Sequence, residues 1–217
     1  MKQLTIKKLS AKLTSASEIP ARFAAEGVAY HDIDVVDWAN DFPYCPKVSF
    51  AVAHQGDALL IHYRVQEESV RAVNGEDLGS VWEDSCCEFF LSPDDDGSYY
   101  NLETNCIGTV LLCNGEGRER RVPADESVLK HIDRWASLGR VPFGMREGAQ
   151  SWELTLIVPV SAYFRHHITD LSGMTMRGNF YKCGDKTQTP HFVSWNPIEI
   201  ASPDFHRPDF FGELIFE

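Results

Sequence analysis

Apolar residues recur at every second position along much of this chain, and that period constrains the fold more than any other feature. Val48, Phe50 and Val52 flank Ser49 and Ala51, while Leu59, Ile61, Tyr63 and Val65 alternate with His62 and Arg64. Trp152, Leu154, Leu156 and Val158 repeat the pattern around Glu153 and Thr155. A period of two sends successive side chains to opposite faces of a strand, whereas a helix needs a period of 3.6. The Gly56-Asp57 pair between the first two runs predicts a hairpin. Short runs near 86–91, 99–106, 108–113, 176–183 and 191–196 are rich in aromatic or β-branched residues, and the chain closes on Leu214 and Phe216. Turn signals recur at Pro93 through Gly97, Asn114 through Gly117, Gly139, Gly144, Gly148 and Gly184-Asp185. Only residues near 15–25, opened by Ser15 or Ser17, and near 160–167, after Pro159, read as helical. Neither stretch is long enough to cover a parallel sheet. The expected fold is all-β: one antiparallel β-sandwich domain over 1–217, with one or two short helices and with 1–28 as a peripheral strand and helix extension.

Composition narrows the function. Hydrophobic residues make up 43% and charged residues 24% of the 217, which argues against disorder and fibrous repeats. The 20 Lys and Arg against 32 Asp and Glu leave a formal charge of −12, which repels phosphate backbones and anionic lipid. Neither nucleic acid nor a membrane is therefore an expected partner. The first residues alternate around Leu4, Ile6 and Leu9 with lysines between, unlike the unbroken apolar run of a leader. As it stands the sequence reads as cytoplasmic, or as periplasmic or secreted if a leader has been removed. The six cysteines show neither a disulfide framework nor zinc spacing, and are read as reduced, mostly buried small hydrophobes.

The densest set of chemically useful residues lies between Val81 and Asn105. If Cys86 to Leu91 is a strand, Cys87, Phe89 and Leu91 face the core and Glu88 faces out. Pairing across the Asp94–Gly97 turn brings Glu103 and Asn105 to that same outer face. Carboxylates accept hydrogen bonds from hydroxyls, amides both donate and accept, and aromatic faces stack on the C–H face of a sugar ring. The plain alternative is a solvated sheet face with an ordinary cross-strand polar pair. In the aromatic-rich tail, Phe205 sits in a loop between Pro203 and Pro208, with His206 and Arg207 beside it as hydrogen-bond donors. The charged stretch 114–130 reads as a solvated loop or edge. His166-His167 reads as a structural or surface pair closing a short helix. Asp94, Asp95 and Asp96 offer oxygen ligands to a metal, although their spacing is not that of an EF-hand and an acidic turn is commonly just a turn. No nucleophile or metallohydrolase motif is present. Glu88 and Glu103 remain an alternative catalytic pair for a glycoside hydrolase, which would require the carboxyls to be spaced suitably and one of them to be raised in pKa.

These regions resemble the family 9 carbohydrate-binding modules, specifically the free-standing bacterial family 9-like proteins. The resemblance runs from about residue 30 to 217. It is carried by WEDSCCEFFLSPDDDGSYYNLETNCIG (Trp82 to Gly108), WELTLIVPVSAYF (Trp152 to Phe164), RGNFYKCGD (Arg177 to Asp185) and the closing SWNP…PDFHRPDFFGELIF. It implies a β-sandwich that binds a mono- or oligosaccharide, in a family often attached to xylan-degrading enzymes. By the same resemblance Trp82 and Phe205 take the positions of two rings that clamp a sugar at a chain end, with Glu88 and Asn105 as polar contacts. Glu103 stands where those modules carry a sugar-binding Arg. No cofactor is implied beyond structural calcium, for which Asp94, Asp95 and Asp96 are the candidates. Three readings stand: a non-catalytic sugar-binding module, a glycoside hydrolase using Glu88 and Glu103, and a sandwich interaction domain that has lost its sugar.

Overall fold

A computed structural model describes residues 1–217. In chain order the strands are β1 (Gln3–Lys8), β2 (His31–Asp32), β3 (Lys47–His54), β4 (Ala58–Ala72), β5 (Cys86–Ser92), β6 (Tyr99–Asn105) and β7 (Val110–Gly115). They continue as β8 (Val122–Pro123), β9 (Asp133–Ala136), β10 (Phe143–Pro159), β11 (Thr175–Cys183), β12 (Phe192–Ser194) and β13 (Gly212–Phe216). One sheet runs β8-β7-β6-β5-β11-β13-β1 and the other β1-β3-β4-β10-β9, with β12 added beside β11 and β2 beside β3. The chain is thus the mostly antiparallel all-β sandwich that the alternation predicts.

The strand of the N-terminal extension is a correction, because β1 is the seam of the fold. Gln3 to Ile6 pair with β13 and Lys7-Lys8 pair with β3, both parallel. Parallel partners are joined through long connections, so no hairpin turn marks them in the sequence. α1 (Ile19–Glu26) follows a 3₁₀ turn at Ala16–Glu18 and stops at Gly27, whose φ of 66° is the left-handed conformation that glycine adopts without strain. It buries Ile19 and Phe23 against Ala51, Ala53 and Leu60 on the outer face of the second sheet. The helix expected at 160–167 is only a 3₁₀ turn, Val160–Ala162, while α2 (Glu126–Leu129) falls in the stretch expected to be loop.

Between the sheets lies the main core. The β3–β4 hairpin sets Val48 opposite Val65, Phe50 opposite Tyr63 and Val52 opposite Ile61, with Gly56 at the turn. Phe50 stacks on Phe180 of the other sheet with centroids 3.7 Å apart, and Phe180 stacks on Phe89 at 4.5 Å. Each such ring contributes about 1.5–3 kcal/mol on burial. Five of the six cysteines are buried and Cys45 is exposed.

The outer face of the first sheet is covered as well, against the expectation of an open, solvated surface. Phe90, Tyr99 and Tyr181 project outward and pack under Trp38, Ile198, Phe205 and Phe211 from the loops. This second apolar layer turns an exposed sheet face into the floor of a cavity.

Candidate functional site

A cavity of about 360 Å³ opens above that face. β5 supplies Glu88, β6 supplies Asn101 and Glu103, β7 supplies Leu111 and Cys113, and β11 supplies Cys183. Strand pairing explains the floor: Glu88 lies opposite Glu103, Glu103 opposite Leu111 and Asn101 opposite Cys113. Residues two apart on a strand share a face, so Asn101 and Glu103 point the same way. Loops make the walls. Trp82 comes from a 3₁₀ turn, Val81–Glu83; Arg118 and Arg121 come from the β7–β8 turn; Asp185 and Phe192 follow β11; Pro203 to His206 close the far side.

The polar groups form a connected chain. Arg121 donates from Nε to Asn101 Oδ1 at 2.7 Å, from Nη2 to the Tyr99 carbonyl at 2.7 Å and from Nη1 to the Gly117 carbonyl at 2.7 Å. Its guanidinium also sits 4.2 Å over the Tyr99 ring. Asn101 Nδ2 donates in turn to Glu103 Oε1 at 2.7 Å. On the other side Cys183 Sγ reaches Glu88 Oε1 at 3.0 Å, and the Tyr99 hydroxyl meets His206 Nδ1 at 2.9 Å.

Burial sets the charges. Desolvation pushes Glu88 well above the usual carboxylate range, and the nearby Cys183 and Glu103 add to it. Burial raises Glu103 to about 7, although the Asn101 hydrogen bond and the Arg121 charge pull the other way. Asp185 is raised to about 6, again by burial, with Arg118 opposing. Burial and the two arginines depress His206 to about 3, so its imidazole is neutral. The floor therefore presents a Glu88 biased toward its protonated form, a Glu103 that titrates near 7, an amide and a guanidinium. Donors and acceptors stand side by side, as hydroxyl-rich ligands require.

Of the residues singled out in the sequence, Trp82, Glu88, Glu103, Phe205 and His206 all line this cavity. Trp82 is 38% exposed, a free ring at the rim. Phe205 is nearly buried and has committed one face to Tyr181, stacked at 4.2 Å. Asn105 lies outside the lining. Its Nδ2 donates to Asp84 Oδ2 at 3.0 Å and to the Asn74 carbonyl at 2.8 Å, while its Oδ1 accepts from the Thr109 amide at 2.9 Å. Asp84 also pairs with Arg71 and takes the Val73 and Asn74 amides, which ties down the segment that carries Trp82. The amide in the cavity is Asn101, two strand repeats earlier.

The stretch 114–130 is more than a solvated loop, since Arg118 and Arg121 reach the cavity from it. Two guanidinium groups are thus brought to the Glu103 floor from the neighbouring turn, with nothing local in the sequence to signal them. Asp94 and Asp96 converge with His166, whereas Asp95 stands apart from that group. Calcium takes about six to eight oxygen ligands, so a donor set of two carboxylates and an imidazole nitrogen does not fit it. His166 sits in a turn, with Nδ1 2.8 Å from the Tyr100 hydroxyl, and not at a helix end.

A family model described as carbohydrate-binding family 9 matches residues 17–216. The crystal structure of a "putative carbohydrate-binding protein" from Bacteroides uniformis is 50% identical, covers 100% of this chain and 99% of its own, and superposes with a TM-score of 0.97. A family 9 module from Caldicellulosiruptor kristjanssonii in complex with cellotriose shares the fold at a TM-score of 0.63 and 10% identity, over 100% of this chain and 94% of that one. A module from the same organism in complex with glucose gives 0.58 at 10% identity, over 100% and 96%. At that identity the likeness speaks for the fold alone. No curated protein matches the chain.

Proposed function

The chain belongs to carbohydrate-binding family 9, and on that premise we propose that its cavity binds a monosaccharide or the end of a glycan chain without breaking it. The observation that carries this reading is the pairing of an exposed Trp82 ring with the Glu88–Glu103–Asn101 floor in one cavity. Sugars are poor ligands in water because their hydroxyls are well solvated. Stacking on an indole recovers apolar area while the floor replaces the lost water contacts. A volume of about 360 Å³ sits near the low end of the roughly 300–1,000 Å³ of small-molecule sites. That size suits a sugar or a chain end better than a long chain laid across the surface. The cellotriose- and glucose-bound neighbours support the same ligand class. A role in polysaccharide breakdown belongs to this proposal, as does Phe205 acting as a wall behind the ligand rather than as an equal half of a clamp.

Calorimetry with glucose, xylose, cello-oligosaccharides and xylo-oligosaccharides tests the reading. Saturable heat at millimolar ligand is the expected result, and no heat with any of them, together with a blank glycan array, defeats it.

One observation favours a second reading. Glu88 and Glu103 face each other across β5 and β6, and burial raises both above the usual carboxylate range; a raised carboxyl beside a second one is what a glycosidase uses as its general acid. Incubation with the same oligosaccharides should then release new reducing ends, and their absence leaves binding alone.

A further inference from the structure

His166 holds a buried nitrogen that the sugar site does not use. Its side chain is 9% exposed, and Nε2 has no hydrogen-bond partner. That atom faces Asp96 Oδ2 at 3.5 Å and Asp94 Oδ1 at 3.6 Å. The separations are too long for N–H···O bonds, which span about 2.7–3.2 Å. They are close to the edge of a coordination tetrahedron: metal–nitrogen and metal–oxygen bonds of about 2.0–2.1 Å put neighbouring ligand atoms roughly 3.3–3.4 Å apart. All three donor atoms lie within 4.8 Å of one another.

We propose that Asp94, Asp96 and His166 bind a divalent transition cation of the zinc class. The imidazole is already oriented for it. Its Nδ1 lies 2.8 Å from the Tyr100 hydroxyl, which also accepts the Arg165 amide at 2.8 Å. In the tautomer that donates Nδ1–H to that hydroxyl, the Nε2 lone pair faces the carboxylates, the arrangement in which ligating histidines are usually held. The Ser98 amide donates to Asp96 Oδ1 at 2.7 Å, fixing the carboxylate with its other oxygen toward His166. Both aspartates are about half exposed, so water completes the coordination and the ion has a way in. Nitrogen ligation favours zinc-like ions over calcium and magnesium. The two aspartates belong to the β5–β6 turn of one sheet, and His166 follows β10 of the other. A bound ion clips the two sheets together.

Titration calorimetry on the chelator-stripped full chain with zinc chloride tests the site. The expected result is one saturable site and, at about a hundredfold excess over its Kd, a Tm higher by roughly 5–10 °C. Asp96→Asn lies at the surface and should keep the fold while weakening zinc by about tenfold or more. His166→Gln should remove the heat and the Tm shift together. Calcium chloride should give neither. Absence of saturable zinc binding overturns the proposal and leaves an ordinary His–Asp pair. Undiminished zinc binding in Asp96→Asn also overturns it, since the ion would then sit elsewhere, on a thiol such as Cys45.

Discussion

Glu88 and Glu103 are direct cross-strand partners on β5 and β6, and both are buried. Two carboxyls so placed cannot both ionise cheaply, which makes the floor of the cavity sensitive to pH. The folded chain keeps a proton on Glu103 up to about 7, whereas an unperturbed glutamate releases it near 4.5. Because the folded state binds more protons on Glu103 across that window, this residue's contribution to stability falls as pH rises from about 4.5 to 7 and is flat above it. Glu103→Gln removes this penalty while keeping an acceptor for Asn101. The variant should gain on the native chain by up to about 3 kcal/mol between pH 4.5 and pH 8. Urea unfolding at both pH values checks it, and a pH-independent difference would contradict the burial argument.

Two tryptophans should part company on truncation. Trp82 is the exposed ring at the cavity rim, so Trp82→Ala should abolish detectable sugar binding and cost less than about 1 kcal/mol of stability. Trp152 is buried in the main core and its Nε1 donates to Glu67 Oε1 at 2.6 Å. Trp152→Ala leaves a cavity and an unsatisfied carboxylate oxygen, at a cost of about 3–5 kcal/mol. Paired calorimetry and urea curves distinguish them. The prediction fails if Trp82→Ala binds sugar as the native chain does.

Arg121 is expected to govern both shape and charge. Its guanidinium fixes the β7–β8 turn to β6 and helps to hold Glu103 down against burial. Arg121→Gln should therefore move Glu103 above 7, not below it, and weaken sugar binding by loosening Asn101. Carbon-13 NMR of the glutamate carboxyls across pH reads the shift directly. A Glu103 pKa that stays put or falls would detach Arg121 from the floor.

Strand parity made much of this legible. It set Cys87, Phe89 and Leu91 inward and Glu88 with Glu103 outward, and the β3–β4 hairpin followed from the Gly56-Asp57 turn. Parity could not choose between Asn101 and Asn105, which share a face with Glu103. The choice depends on what covers each end of β6, and Asn105 meets Asp84 and Asn74 while Asn101 meets Arg121. The cover over the outer face was hidden for a similar reason, because Trp38, Ile198 and Phe211 arrive from loops without periodicity. The pairing of β1 leaves no local signal, because its partners lie at the far end of the chain and beyond a helix.

Lys182 illustrates the same limit and supplies the last prediction. It shares the core-facing side of β11 with Phe180 and is fully buried, in an ion pair with Glu67 at 2.9 Å. Burial disfavours its charge, but the Glu67 carboxylate outweighs that and holds the ammonium above its ordinary value. Burial, with the Lys182 charge beside it, drives His191 well below its ordinary range. Its neutral Nε2 accepts from Lys182 Nζ at 2.7 Å, and its Nδ1 donates to the Thr189 carbonyl at 2.9 Å. Lys182→Met strands Glu67 in the core with Trp152 as its remaining donor, and should cost about 3–5 kcal/mol. Replacing both charges, Lys182→Met with Glu67→Leu, removes the stranded carboxylate and leaves two neutral groups unpaired, the Trp152 indole and His191 Nε2, for a loss of about 2–3 kcal/mol. The double variant should thus be more stable than the Lys182 single variant. Urea unfolding of the full double-mutant cycle measures the coupling, and additive losses would mean that the two charges stabilise the core independently of each other.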